Sequence, residues 1–129
     1  MVAGDKFLEA VIEGDVLVLT ILRRQIEGEQ SASGLKEEML EAVAQSGLKL
    51  VVLDLRNTRY VSSIAFWPLL TLRKQLNERN GRLIICGLTG AVEEVFTSTK
   101  MVSSSGSTNA PFEMAKDRAA AVARLQAPA

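Results

Sequence analysis

The chain has 129 residues, of which 47% are hydrophobic and 23% are charged, as is usual for one soluble globular domain. Its 15 basic and 15 acidic residues cancel, so the composition predicts no nucleic-acid partner and no polybasic membrane contact. The lack of histidine and the single cysteine, Cys86, exclude histidine-dependent catalysis, cysteine metal clusters and an internal disulfide.

The first third of the sequence predicts a β-hairpin followed by a helix. Two apolar runs, residues 7–12 and 16–22, flank a turn-forming Glu-Gly-Asp at 13–15. We interpret the polar stretch 23–33 as a loop and expect Ser33 to cap the helix, with Gly47 as its stop signal. Apolar residues recur at helical spacing between them, namely Leu35, Met39, Leu40 and Val43.

The middle third predicts a buried strand, a second helix and another strand. Residues 48–55 are almost entirely aliphatic, as in a strand covered on both faces. After a polar link at 56–60, Val61-Ser62-Ser63 leads into a helix with an apolar stripe of Ala65, Leu69, Leu72 and Leu76. Pro68 predicts either a kinked first turn or a regular helix that begins later. Residues 82–86 form the next strand.

The last third predicts two helices and an edge strand. Thr89 can cap a helix that carries Val92, Val95 and Phe96. Residues 103–109 are serine-rich and of low complexity, and residues 111–115 fit a short edge strand. Asp117 can cap a final helix through Leu125. We expect residues 1–5 and 126–129 to be frayed ends.

The order of elements predicts an α/β fold in a single domain covering residues 1–129. Strands that alternate with about four helices imply a mixed, mostly parallel sheet, in which the N-terminal hairpin gives the antiparallel pairing. The N-terminus does not have the pattern of a secretory signal, and no apolar stretch approaches the length of a membrane span. We therefore expect a cytoplasmic protein without direct membrane insertion.

Residues 50–96 resemble the STAS domain of bacterial anti-sigma factor antagonists. The family has a strand ending in Asp-Leu, a polar link, an apolar pair and Asp-Ser-Ser-Gly at the start of a leucine-rich helix. Residues 52–65 of this chain read VLDLRNTRYVSSIA. The family's glycine, apolar strand and short helix then match Gly81, residues 83–86 and residues 92–96. A weaker match extends over nearly the whole chain.

The resemblance implies a regulatory binding module switched by serine phosphorylation. Its phosphoacceptor falls on Ser63, with Ser62 as the alternative, because Ser62 stands where the family has its aspartate. The implied partners are a kinase-type anti-sigma factor, which phosphorylates the serine, and a serine phosphatase. The surface expected to contact the partner comprises Arg59, Ser62, Ser63, Ile64, Ala65 and Trp67. An oligomer is compatible with the sequence, and no catalytic residue, cofactor or metal is expected.

The position of the serine pair is physically compatible with the switch that the resemblance implies. At the start of a helix, unpaired backbone N–H groups and the positive end of the dipole favour an anion. A phosphoserine there would repel a partner that presents acidic groups.

Three alternatives remain at the level of sequence. In the first, Ser62 and Ser63 serve only as helix caps, in a constitutive STAS subunit of a transporter or signalling scaffold. The second concerns Phe66 and Trp67: either both pack in the core, or Trp67 is a partly exposed contact anchor. An enzyme, such as a small nucleotide hydrolase, is disfavoured because the chain has no phosphate-binding glycine loop and no paired carboxylates.

Overall fold

The computed structural model describes residues 6–102 and 110–127. The helices are α1 (Glu29–Ser46), α2 (Phe66–Glu78), α3 (Gly90–Ser98) and α4 (Arg118–Gln126), and a 3₁₀ turn at Ser63–Ala65 precedes α2. The strands are β1 (Leu8–Glu13), β2 (Val16–Ile21), β3 (Gln25–Ile26), β4 (Leu50–Asp54), β5 (Tyr60–Val61), β6 (Arg82–Cys86) and β7 (Glu113–Ala115).

The main sheet is mixed and has the order β1-β2-β4-β6-β7. The hairpin of β1 and β2 is antiparallel, and the pairs β2–β4, β4–β6 and β6–β7 are parallel. Within the described residues four helices accompany the sheet, so the predicted α/β class and N-terminal hairpin are confirmed. The strand predicted at 111–115 lies at the sheet edge, although only Glu113–Ala115 pairs regularly.

The sheet separates two layers of helices because its central strands are apolar on both faces. All residues of β2 and the last four of β4 are buried. One face packs against α1, α2 and α3, and the other packs against α4. Burying each such aliphatic side chain stabilises the fold by about 1.5–3 kcal/mol, so the central strands form a rigid platform for the loops at their ends.

The interpretation of residues 23–33 as a loop, with Ser33 as the cap of the following helix, is wrong. Residues 25–26 form β3, which pairs in parallel with β5, a second strand that the sequence did not indicate. Helix α1 then begins at Glu29, after Gly28 with φ of 84°, and Ser33 lies inside it. Ala32 is fully buried and extends the apolar stripe by one turn, which the polar composition of the segment concealed.

The other boundaries shift by a few residues. Gly47 ends α1 in the left-handed conformation, as predicted, but β4 begins at Leu50 and not at residue 48. Asp117 caps α4 by accepting a hydrogen bond from the Ala120 N–H (2.9 Å), and α4 continues to Gln126.

The serine-rich stretch 103–109 and the termini 1–5 and 128–129 lie outside the described residues. None of the described helices is long and apolar enough to cross a membrane.

Candidate functional site

The serine pair lies in the connection between β5 and α2, called the serine step below. The N–H of Ser62 donates a hydrogen bond to the carbonyl of Ile26 in β3 (3.0 Å), which continues the β3–β5 pairing. Ser62 is extended (φ −93°, ψ 166°), and its carbonyl accepts from the N–H of Ala65 (3.0 Å) to close the 3₁₀ turn. The backbone therefore changes from strand to helix at Ser62, and Ser63 is the first residue of the turn.

The two serines differ in exposure. Ser63 is exposed, whereas Ser62 is half-buried. Ser62 occupies the N-cap of the 3₁₀ turn without a side-chain capping bond, and within the described residues the Ser63 hydroxyl has no hydrogen-bond partner. The capping role that the alternative assigned to these hydroxyls is thus not seen, and the Ser63 hydroxyl is open to another protein.

Buried residues on either side of the serines fix their position. Val61 and Ala65 are almost fully buried, and Phe66 packs edge-on against Phe96 with ring centroids 5.0 Å apart. Ile64 is half-buried. Of the residues expected to contact a partner, Ala65 therefore faces the core and supports the turn, and it offers almost no surface.

Pro68 is the third residue of α2, and its place explains the short 3₁₀ turn. The regular helix begins at Phe66 and not at Ile64, which is the later start that the proline predicted. Proline is tolerated within the first helical turn, since the N–H groups there have no partner inside the helix.

Trp67 follows the buried Phe66 and points outward. Its side chain is 45% exposed, and the Lys36 Nζ atom lies 4.5 Å from the ring centroid. Packing of Trp67 in the core is therefore excluded, and α1 and α2 together present an aromatic ring beside a cation.

Arginine residues follow β2 and β4 at the same end of the sheet. The carbonyl of Arg24 accepts from the N–H groups of both Arg59 (2.7 Å) and Tyr60 (3.1 Å), and the buried Thr58 hydroxyl donates to the carbonyl of Arg23 (2.9 Å). Arg24 and Arg59 are exposed, and Tyr60 is 44% exposed. A depression of about 570 Å³ is lined by Arg23, Arg24, Gln25, Glu27, Ser31, Arg59 and Tyr60.

A second cleft contains Asp54, but its contacts are structural. The buried Asp54 carboxylate accepts from the Arg56 N–H (3.0 Å). Next to it, burial and, secondarily, the negative charge of Asp54 raise the pKa of the Cys86 thiol from 9.0 to about 12. The thiol is thus protonated and shielded at neutral pH, and a nucleophilic role is disfavoured.

The sequence pointed to the serine pair, Arg59 and Trp67 as a contact surface, but not to the residues that adjoin Arg59 and Trp67. Arg24 and Tyr60 contact Arg59 or its neighbours through the β3–β5 region, and Lys36 contacts Trp67 because α1 packs against α2, and neither contact can be read from the sequence. One sequence feature could have indicated the β3–β5 pairing. Ile26 and Val61 are isolated apolar residues in polar surroundings, and both are buried.

Comparison with known proteins places this geometry in a family. The family model described as STAS domain matches residues 9–117. The chain is 36% identical over 90 residues to BtrV of Bordetella bronchiseptica, named as a candidate anti-sigma factor antagonist, and this covers 70% of the chain and 72% of BtrV.

Solved structures show the same fold at low sequence identity. An anti-sigma factor antagonist from Mycobacterium paratuberculosis superposes with a TM-score of 0.76 at 16% identity, covering 93% of each chain. The anti-sigma factor antagonist SpoIIAA in its unphosphorylated form gives a TM-score of 0.66 at 13% identity, covering 94% of this chain and 99% of SpoIIAA.

Proposed function

The chain belongs to the STAS domain family, and we propose that it is an anti-sigma factor antagonist whose binding is switched by phosphorylation of Ser63. It acts as a non-catalytic module that binds a kinase-type anti-sigma factor and so releases a sigma factor. The relationship to BtrV, named as a candidate antagonist, supports this class of function.

The exposed hydroxyl of Ser63 on a rigid turn is the observation that carries the proposal. A kinase must reach the acceptor hydroxyl, and only Ser63 of the pair is exposed. The buried anchors Val61 and Ala65 hold the turn in place, so a phosphate can act without a large change of fold. The start of a helix also tolerates added negative charge.

The proposed switch works through charge at the contact surface. A phosphoserine adds about −1.5 to −2 charges at neutral pH. Next to a docked partner, this charge repels acidic groups and must be desolvated, so the affinity falls. A serine phosphatase restores the neutral hydroxyl and the binding.

The direct test is incubation with ATP and the kinase-type anti-sigma factors encoded near the gene, followed by localisation of phosphate by mass spectrometry. We expect one phosphate on Ser63 in the wild type and in Ser62→Ala, and none in Ser63→Ala. Ser62→Ala is the matched control, because it removes the neighbouring hydroxyl.

Two results would overturn the proposal. Phosphate on Ser62 alone would assign the switch to the half-buried serine. Stable binding of such a partner without any phosphate transfer would instead favour the constitutive STAS subunit.

A further inference from the structure

We propose that Arg24, Arg59 and Tyr60, here called the arginine surface, bind an acidic segment of the partner protein. This inference rests on the proposed function, because it names the chemistry of the partner at the same site. The arginine surface adjoins Ser63 along the chain, since Arg59 precedes Ser63 by only four residues.

Backbone hydrogen bonds hold the arginine surface together. The carbonyl of Arg24 accepts from both Arg59 and Tyr60, so the loop after β2 is joined directly to β5. The hydroxyl of Thr58, which is completely buried, joins the same two loops a second time through the carbonyl of Arg23 (2.9 Å). The two arginines are therefore side by side on a fixed backbone.

The charge of this surface is unbalanced although the chain is neutral. The depression is lined by three arginines and one acid, Glu27. Among residues 6–102 and 110–127, neither Arg24 nor Arg59 forms an ion pair, whereas Arg82 pairs with Glu113. The exposed guanidinium groups are thus available to a carboxylate from outside.

The residue types match an acidic peptide. Arginine binds carboxylates through two parallel hydrogen bonds, and arginine and tyrosine are enriched among residues that dominate binding energy. Glu27 at the same depression opposes a continuous polyanion such as nucleic acid, whereas spaced carboxylates on a peptide can avoid it.

The arginine surface also explains the direction of the switch. Arg59 precedes Ser63 by four residues, and a phosphate on Ser63 is a strong acceptor that we expect to compete with the acidic segment for the Arg59 guanidinium. Phosphorylation therefore removes the attraction for the partner as well as adding repulsion.

Fluorescence anisotropy with a short labelled peptide rich in aspartate and glutamate tests this inference on the full chain. We expect the peptide to bind the wild type and the double variant Arg24→Glu/Arg59→Glu to bind at least about tenfold more weakly at low ionic strength. Arg24→Gln/Arg59→Gln should lose less, and added salt should weaken wild-type binding.

The control is Arg79→Glu, which reverses an exposed charge just beyond the other end of α2 and should bind the peptide like the wild type. Thermal melting of each variant confirms that it is folded. Equal binding by the wild type and the double variant, no binding by the wild type, or tighter binding of a single-stranded DNA of equal charge would each overturn the inference. Phosphate transfer to Ser63 is measured separately, so failure of the arginine surface is distinguishable from failure of the switch.

Discussion

At the scale of single residues, Gly87 after β6 packs closely against the end of β4 and the residues that follow it. Gly87 follows β6 with φ of +74°, and a Cβ atom there would lie 2.5 Å from Asp54 Oδ1 and 2.8 Å from the Arg56 nitrogen. Because Gly87 has no Cβ atom, the Asp54 carboxylate fits there and accepts a hydrogen bond from the Arg56 N–H. Asp54 therefore shapes the loop that leads to the serines.

Gly87→Ala should consequently destabilise the fold by about 2–3 kcal/mol, because positive φ and steric overlap act together. Gly47→Ala is the matched control, since Gly47 has a similar φ of +69° but open space around the position of a Cβ atom. We expect about 1 kcal/mol for the control in urea unfolding. Equal losses for the two variants would contradict the structural role given to Asp54.

At the scale of elements, sequence patterns predicted the long elements well and the short ones poorly. Strand β4 and the stripe of α2 contain enough apolar residues to specify their class, and Gly47 and Asp117 specify helix ends. Strands β3 and β5 have two residues each, so no periodicity can be read from them. Their existence depends on a pairing between Ile26 and Val61, which are distant in sequence.

The first two residues of helix α2, Phe66 and Trp67, differ in burial. Phe66 is buried against Phe96, while Trp67 is 45% exposed beside Lys36. The sequence left open whether both aromatic residues pack in the core, because exposure on a helix depends on where its first turn begins. The 3₁₀ turn makes α2 begin at Phe66, and in that register Phe66 is buried and Trp67 is exposed.

We therefore expect Phe66→Ala to lower the free energy of unfolding by about 3–5 kcal/mol. Trp67→Ala should change it by less than about 1 kcal/mol, yet weaken binding of the anti-sigma factor by at least about fivefold, because aromatic residues dominate interface energies. Urea unfolding and titration calorimetry measure the two quantities. Unchanged affinity for Trp67→Ala would remove this ring from the contact surface.

At the scale of the whole molecule, the candidate site residues follow the carboxyl ends of β2, β4 and β5. The carboxyl ends of β2 and β4 lead into the arginine loops, and β5 leads into the serine step. The neutral composition indicated no nucleic-acid partner and no polybasic membrane contact, but net charge does not report how charges are distributed over the surface. The fold brings Arg24 next to Arg59, and this juxtaposition could not be read from the sequence.

The central claim is that phosphate on Ser63 acts on the partner and not on the fold. Titration calorimetry of the kinase-type anti-sigma factor with unphosphorylated and fully phosphorylated protein, both checked by intact mass, tests it most directly. We expect the phosphorylated protein to bind at least about tenfold more weakly, with an unchanged melting temperature. Equal affinities of the two forms would contradict the claim.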